Sequence, residues 1–127
     1  SFGLDDNPPR ALFCQVTTSE GELGLGGTGE LSDLIIGGNV WSHVACTYDD
    51  STGVMALYVN GVKIISEDFG DNLPIIASDN VLSIGGFGVG NDHYRGSIDE
   101  LSIYGEALSI EQIKEIYEAG NLGKCRL

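Results

Sequence analysis

The strongest constraint on the fold is a pair of strand-like segments followed by an Asn-Gly dipeptide. With the period of two that is typical of a strand, residues 41–48 put Val44, Cys46 and Tyr48 on one face, and residues 54–59 put Met55, Leu57 and Val59 on one face. Asn60-Gly61 suits a type I′ turn, which needs positive φ at both central positions. The chain is therefore predicted to form a hairpin that returns through residues 62–65. The predicted inward-facing residues are Val44, Cys46, Tyr48, Met55, Leu57 and Val59.

Three further segments have strand character: residues 12–17, 81–84 and 98–104. In the last of these, Leu101 and Ile103 do not share the parity of Ile98, which predicts a bulge near Asp99-Glu100. Glycine is abundant, at 19 of 127 residues, whereas proline is not, and this balance favours tight turns over a disordered linker. Many short strands with glycine-rich turns predict an antiparallel β-sandwich in a single domain over residues 1–127.

One short helix is predicted at the C-terminal end. Ser109 and Gln112 have the spacing of a capping box, and Leu108 precedes them as one half of a hydrophobic staple. Gly120 is placed to end the helix. A helix this short is marginal alone, so we expect it to dock on the sheet through an apolar stripe. That stripe consists of Ile110, Ile113, Ile116 and Tyr117.

The charge excludes two classes of partner. Six basic against 19 acidic residues give a net charge of −13. Such a field repels phosphate backbones, which argues against nucleic acid and anionic membranes as ligands. No apolar run approaches the length of a membrane span, so membrane insertion is not expected. Neutral ligands such as sugars remain compatible.

The cysteines leave two interpretations open. Cys14, Cys46 and Cys125 are odd in number and include no C-x-x-C pair, which argues against a zinc ribbon. One disulfide plus one thiol would suit a secreted protein, and three thiols a cytosolic one. Cys125 could tie down the C-terminal tail by pairing with either of the other two.

Catalytic motifs are weak. Residues 24–29 spell G-x-G-x-x-G, but the glycines at 37 and 38 leave no room for the helix that a dinucleotide site requires. Retaining glycosidases need two carboxyl groups close together on one sheet face. Most acidic pairs here are adjacent and point to opposite faces, and Glu20 and Glu22, which alternate, fall in a predicted glycine-rich turn. We therefore expect no catalytic residues, with a glycoside hydrolase or lyase as the alternative.

The loop over residues 85–96 is the best candidate binding site. After several glycines it presents an amide, a carboxylate, an imidazole and a phenol, from Asn91, Asp92, His93 and Tyr94. Sugar recognition uses an aromatic face for the apolar side of the ring and planar polar groups for hydroxyls. These four residues are the predicted ligand-binding residues. Trp41, at the start of a strand, is instead expected in the core.

Several segments together resemble a known family. They are Trp41–Asp49, Leu57–Gly61, Leu82–Gly85, Gly96–Tyr104 and Ala107 through the helix to Cys125. In order and spacing they resemble LamG-like domains, which are concanavalin A-like jelly rolls related to laminin G and pentraxins. The resemblance implies an all-β antiparallel sandwich with one short C-terminal α-helix. It also implies an extracellular or cell-surface module that binds glycans or proteins, frequently with a bound Ca²⁺ at a loop rim.

Two departures from the family pattern shape the expectations. Family members usually begin with further strands, so we expect this chain to start inside the domain. The position that carries acidic calcium ligands in pentraxins holds Gly86, Phe87 and Gly88, with Asp92 the nearest acid, so no metal ligand is assigned. Unpaired sheet edges invite pairing with another copy, which predicts a homo-oligomer. A structural or adhesive subunit assembling through such edges is a further alternative.

Overall fold

A computed structural model describes residues 2–4, 12–26, 40–77, 79, 81–86, 94 and 96–120. Within these ranges the chain forms six strands and one helix. The strands are β1 (Phe2–Leu4), β2 (Leu12–Thr18), β3 (Gly21–Gly26), β4 (Val44–Asp49), β5 (Val54–Val59) and β6 (Val62–Asp68), and the helix is α1 (Ile110–Ala119).

The strands form two antiparallel sheets, with the orders β1-β2-β3 and β4-β5-β6. In the first sheet Cys14 is opposite Leu25, and in the second Cys46 is opposite Leu57. Residues opposite each other point to the same face, so this register places apolar side chains of adjacent strands side by side.

The core lies between the sheets and confirms the predicted sandwich. Leu12, Cys14 and Leu25 of the first sheet pack with Met55 and Leu57 of the second, all nearly inaccessible to solvent. Val44, Cys46, Tyr48 and Val59 line the same core. The inward face predicted from alternation is therefore the observed one.

The turn between β5 and β6 has the predicted geometry. Asn60 and Gly61 have φ values of 52° and 78°, so both occupy the left-handed region that a type I′ turn requires. The pairing of β5 with β6 shifts register between Leu57 and Tyr58 of β5. Their partners on β6 are Ile65 and Lys63. One extra residue, Ile64, is accommodated there as a bulge.

The segment after β6 links the two sheets. Gly53 packs against the main chain of Gly70, with no room for a Cβ between them. Phe69 donates its N–H to the Gly53 carbonyl at 3.0 Å. The Tyr48 hydroxyl donates to the Leu73 carbonyl at 2.6 Å. Burial, together with the carboxylates of Asp50 and Asp49, raises the pKa of Tyr48 above its ordinary value.

The same segment then reaches the first sheet. Ile75 forms an antiparallel bridge with Thr18, and Ile76 donates its N–H to the Thr17 carbonyl at 3.1 Å. The two sheets are therefore tied together by main-chain bonds as well as by the core.

Helix α1 begins and ends as predicted. The Ser109 hydroxyl accepts from the Gln112 N–H at 3.2 Å, and the Gln112 side chain accepts from the Ser109 N–H at 2.8 Å. Gly120 closes the helix with its N–H on the Tyr117 carbonyl. Docking relies on Ile113, which is buried with Leu108 against Ala56 and Tyr58 on the outer face of the second sheet. Ile110 and Tyr117 remain substantially exposed, so the docking stripe is narrower than predicted.

Two local predictions are wrong. β3 runs through Gly24 and Gly26, where a loose turn was expected, because Gly26 must approach Phe13 so closely that a Cβ there would lie 2.6 Å from the Phe13 Cβ. Residues 81–84 and 98–104 are not strands, apart from a single bridge position at Ile84. In the second of these segments the chain turns at Glu100, whose φ is 51° and whose N–H bonds the Asp99 carboxylate at 2.8 Å. An irregularity therefore lies where a bulge was predicted, but outside any sheet.

Candidate functional site

Tyr94 is held in place by two glycines at the end of loop 85–96. Its N–H donates to the Gly85 carbonyl at 2.7 Å. Its ring lies on Gly96, where a Cβ would be only 2.6 Å from the Tyr94 Cζ. A Cβ on Gly85 would lie 3.4 Å from the Tyr94 Cβ and 3.3 Å from the Ile98 Cδ1. Tyr94 is half-buried, so the residue retains some contact with solvent.

The other predicted ligand-binding residues, Asn91, Asp92 and His93, lie outside the described residues. Phe87 and Gly88 of the same loop do as well. The structure therefore describes one of the four predicted residues, Tyr94. It also shows that the two ends of the loop meet where the Tyr94 N–H bonds the Gly85 carbonyl.

An exposed apolar segment follows this loop. Ile98, Leu101, Ile103 and Tyr104 are all exposed, with Ile103 71% accessible. Val81 and Leu82, before the loop, are exposed as well. Residues 98–104 are called the apolar segment below. Since monomeric proteins rarely expose large contiguous apolar surface, this segment is a candidate for protein contact.

The acidic turn between β4 and β5 is organised by hydrogen bonds within the chain. The Asp49 carboxylate accepts from the Ser51 hydroxyl at 2.6 Å and from the Ser51 N–H at 3.0 Å. These bonds lower the pKa of Asp49 below its ordinary value, the hydroxyl contributing most. Among the residues that the structure describes, no group of three His, Cys, Asp or Glu side chains is arranged to hold a metal ion.

Glu22, one of the alternating acidic pair, is on β3. Its carboxylate accepts a hydrogen bond from the Gln15 amide at 3.0 Å on the exposed face of the first sheet. This carboxylate is thus engaged with a neutral neighbour on an open surface.

Trp41 is not in the core, which corrects the prediction. Its side chain is 69% exposed. Trp41 lies three residues before β4, which begins at Val44. The inward positions of the strand are the even ones, beginning with Val44, so the core begins after Trp41.

His43 and Tyr117 lie next to each other on that outer side. Their ring centroids are 6.2 Å apart, with the planes inclined at 42°. His43 and Asn60 exchange two bonds, the His43 N–H to the Asn60 Oδ1 at 2.9 Å and the Asn60 N–H to the His43 carbonyl at 2.8 Å. The Tyr117 ring packs against Gly61, since a Cβ on Gly61 would lie 3.1 Å from the Tyr117 Cδ1. Sequence reasoning assigned Tyr117 to helix docking and did not predict this arrangement.

The disulfide joins Cys14 of β2 to Cys46 of β4. Cys125, which lies outside the described residues, is therefore the partner of neither, and the idea that it ties the tail to one of them is wrong. No helix in the described ranges combines the length and apolar character that crossing a membrane would require.

The fold has a counterpart among solved structures. A crystal structure of part of an S-layer domain-containing protein from Clostridium thermocellum matches with a TM-score of 0.52 and 22% identity over 92% of this chain. This chain spans 61% of the length of that structure. At this identity the likeness concerns the fold. Comparison with curated proteins finds no match.

A family model assigns the chain more directly. The laminin G model described as the concanavalin A-like lectin/glucanases superfamily matches residues 5–114. This match begins nearer the N-terminus than the segments that carry the resemblance in the sequence, and it includes β2 and β3. The chain belongs to the concanavalin A-like lectin/glucanase superfamily.

Proposed function

We propose that this chain is a non-catalytic binding module that acts outside the cell and recognises carbohydrate through loop 85–96. The observation that carries the proposal is the placement of Tyr94 against Gly85 and Gly96, where the residue is only half-buried. An immobilised aromatic ring loses little conformational entropy when it stacks on a sugar. Asn91, Asp92 and His93 precede it and would supply hydrogen bonds to hydroxyl groups.

The charge and the disulfide support this setting. A net charge of −13 favours a neutral ligand over a polyanion. Structural disulfides persist in oxidising compartments, so the Cys14–Cys46 bridge supports export. The S-layer domain-containing protein of similar fold supports a cell-surface setting.

A glycan array tests the proposal, with and without EDTA. We expect the wild type to bind neutral glycans and Tyr94→Ala to lose that binding. Gly96→Ala should also weaken binding, because the new methyl group displaces the Tyr94 ring while keeping the phenol. Gly105→Ala is the matched control, since the space beside Gly105 is open. The EDTA arm decides whether Ca²⁺ contributes. If no glycan binds in either condition, or Tyr94→Ala binds as well as the wild type, the proposed site is wrong.

The enzyme alternative has a direct test. Incubation with β-glucans followed by detection of reducing ends would reveal hydrolysis. We expect no turnover, because the alternating carboxylate Glu22 lies on an exposed sheet face with Gln15 as its partner. Turnover above a buffer blank would overturn the non-catalytic assignment.

A second candidate function is adhesion through protein contact, and the apolar segment favours it. Residues Ile98, Leu101 and Ile103 leave large apolar area in water, which a partner strand or a second copy would cover. Light scattering after size exclusion tests this. Association that Ile103→Asp abolishes would support homo-oligomerisation through the segment, with Ser97→Asp as a neighbouring exposed control. A sharp monomer peak at all concentrations would count against it.

A further inference from the structure

We infer that Trp41, His43 and Tyr117 form a second carbohydrate-stacking surface, separate from loop 85–96, that takes a neutral β-linked oligosaccharide. We call these three residues the aromatic surface. The inference rests on the proposed function only in taking carbohydrate as the ligand class. Its location and its residues are independent of Tyr94.

Two large aromatic side chains of the aromatic surface are exposed to solvent. Trp41 is 69% exposed and Tyr117 41% exposed. A single exposed aromatic residue is ordinary, but a group of them marks a binding surface. His43 completes the group, because its ring centroid lies 6.2 Å from that of Tyr117.

The three side chains are inferred to lie on one side of the second sheet. Ala45 of β4 packs with the cluster of Ala56, Tyr58 and Ile113, so the odd positions of β4 face helix α1. The ring of His43, two residues before Ala45, adjoins that of Tyr117 on the helix. Trp41 is two residues before His43, and side chains two apart in extended chain point the same way, about 7 Å apart. On this basis Trp41 is inferred to lie beside His43, in a row with Tyr117.

The His43 side of the aromatic surface is held by two hydrogen bonds. The bond from the Asn60 N–H to the His43 carbonyl extends the β4–β5 pairing by one residue, and the Asn60 side-chain Oδ1 accepts from the His43 N–H, so the His43 main chain is fixed. The Tyr117 ring packs against Gly61. Tyr117 is in the last turn of helix α1, which ends at Gly120. A surface built on a β-turn and a docked helix holds its shape before the ligand arrives, which reduces the entropic cost of binding.

The exposed side chains of this surface suit a sugar chemically. Aromatic faces suit the apolar C–H face of a sugar ring, while the indole N–H of Trp41 and the phenol of Tyr117 can serve its hydroxyls. A β-linked glucan presents flat ring faces with hydroxyls at the periphery, which matches a row of this kind.

Local charge points to a neutral glycan. The described cations, Lys63 and Lys114, both adjoin the Asn60-Gly61 turn, and the Lys114 Cα lies 3.4 Å from where a Gly61 Cβ would be. Lys114 is paired with Glu118 at 3.7 Å, which offsets its charge. With −13 over the whole chain, a sulfated polyanion is disfavoured.

The test uses the fact that Trp41 is the one tryptophan of the chain. Tryptophan fluorescence, excited selectively over the five tyrosines, therefore reports on the surroundings of Trp41. The probes are cellohexaose and laminarihexaose, with heparin as the polyanionic contrast. We expect either hexasaccharide to shift the emission to shorter wavelength and to protect Trp41 from acrylamide quenching, and heparin to do neither.

Variants assign the effect to residues. In calorimetry, Trp41→Ala and Tyr117→Ala should each weaken hexasaccharide binding at least about tenfold, whereas Trp41→Phe should retain most of it. Tyr104→Ala removes an exposed tyrosine elsewhere and should leave affinity unchanged. Far-ultraviolet circular dichroism checks that each variant is folded.

The outcomes separate this inference from the proposed function. If glycans bind but the Trp41 emission is unchanged and Trp41→Ala binds as well as the wild type, the aromatic surface is refuted and loop 85–96 remains. If Trp41→Ala loses binding and Tyr94→Ala does not, the aromatic surface is supported and loop 85–96 is not the site. If neither hexasaccharide binds the wild type, the aromatic surface as stated is refuted, and the glycan array alone decides the proposed function.

Discussion

Cys14 and Cys46 join the two sheets of the sandwich, with their Cα atoms 6.4 Å apart and a sequence separation of 32. Each cysteine faces the core, where Leu25 is opposite Cys14 and Leu57 is opposite Cys46. The bridge therefore holds together the two layers at the centre of their contact.

Removing this bridge should lower stability substantially. For a loop of this length, the lost constraint on the unfolded chain corresponds to about 3–4 kcal/mol. We expect Cys14→Ala/Cys46→Ala to lower the free energy of unfolding from urea denaturation by this amount, with a correspondingly lower midpoint, and a reducing agent to have the same effect on the wild type. Cys125→Ser is the control and should keep the wild-type midpoint.

Mass spectrometry without reduction checks the pairing itself. Trypsin cannot separate the two cysteines, because no Lys or Arg lies between them, whereas cleavage after Glu20, Glu22 or Glu30 does. The expected product is a linked pair of peptides containing Cys14 and Cys46. A linked peptide containing Cys125 would contradict the structure.

Gly53 should tolerate no side chain. Its φ is 69°, and a Cβ there would collide with the Gly70 carbonyl. A backbone clash cannot be relieved by a rotamer change, so the segment that carries Leu73 and Ile75 would have to move. We expect Gly53→Ala to lower the free energy of unfolding by about 2–4 kcal/mol.

Urea denaturation measures this loss, and Gly105→Ala serves as the control because no atom lies near that position. Equal stability of the two variants would mean that Gly53 and Gly70 are not in contact.

The sequence predicted the centre of the fold because its pattern there is local and redundant. In the β4–β5–β6 meander the alternation, the Asn60-Gly61 turn and the burial of Met55 and Leu57 all agree. The helix was equally clear, since Ser109 and Gln112 satisfy each other within one turn. Such features depend on residues close in sequence.

The failures depend on partners distant in sequence. Residues 98–104 have strand-like composition, yet a strand needs a neighbour, and composition does not show whether one is present. The glycines of β3 suggest a turn, but Gly26 serves close packing against Phe13, a contact visible only once β2 is placed. The helical spacing of Tyr117 predicts that it docks the helix. Its ring instead lies against Gly61 and is 41% exposed, and this contact is not visible in the helix sequence alone.

The capping box of α1 should contribute measurably to stability. Ser109→Ala removes the hydroxyl that accepts from the Gln112 N–H and leaves one helix N–H without that partner. We expect a loss of about 1 kcal/mol in the free energy of unfolding. Since Ile113 docks the helix on Ala56 and Tyr58, the helix should remain in place.

Thermal and urea denaturation measure the effect, and Ser109→Asp should restore most of it because aspartate is also a good N-cap. Ser97→Ala, at an exposed position outside the helix, is the control. A Ser109→Ala variant as stable as the wild type would show that the cap contributes nothing in this context.

The last prediction concerns acid titration of Asp49. The Ser51 hydroxyl and N–H lower its pKa below the ordinary 3.8, so the folded chain binds this proton less readily than the unfolded chain does. The corresponding stabilisation is fully present above the unfolded value and is lost as the pH falls through the folded pKa. Ser51→Ala removes the larger contribution and should raise the pKa of Asp49 towards its ordinary value. Thr52→Ala should raise it less, since Thr52 contributes less to the shift. Carboxyl carbon shifts followed by NMR between about pH 2 and 6 measure both variants against the wild type. Equal pKa values of Asp49 in the wild type and in Ser51→Ala would show that the hydroxyl at 2.6 Å does not stabilise the carboxylate.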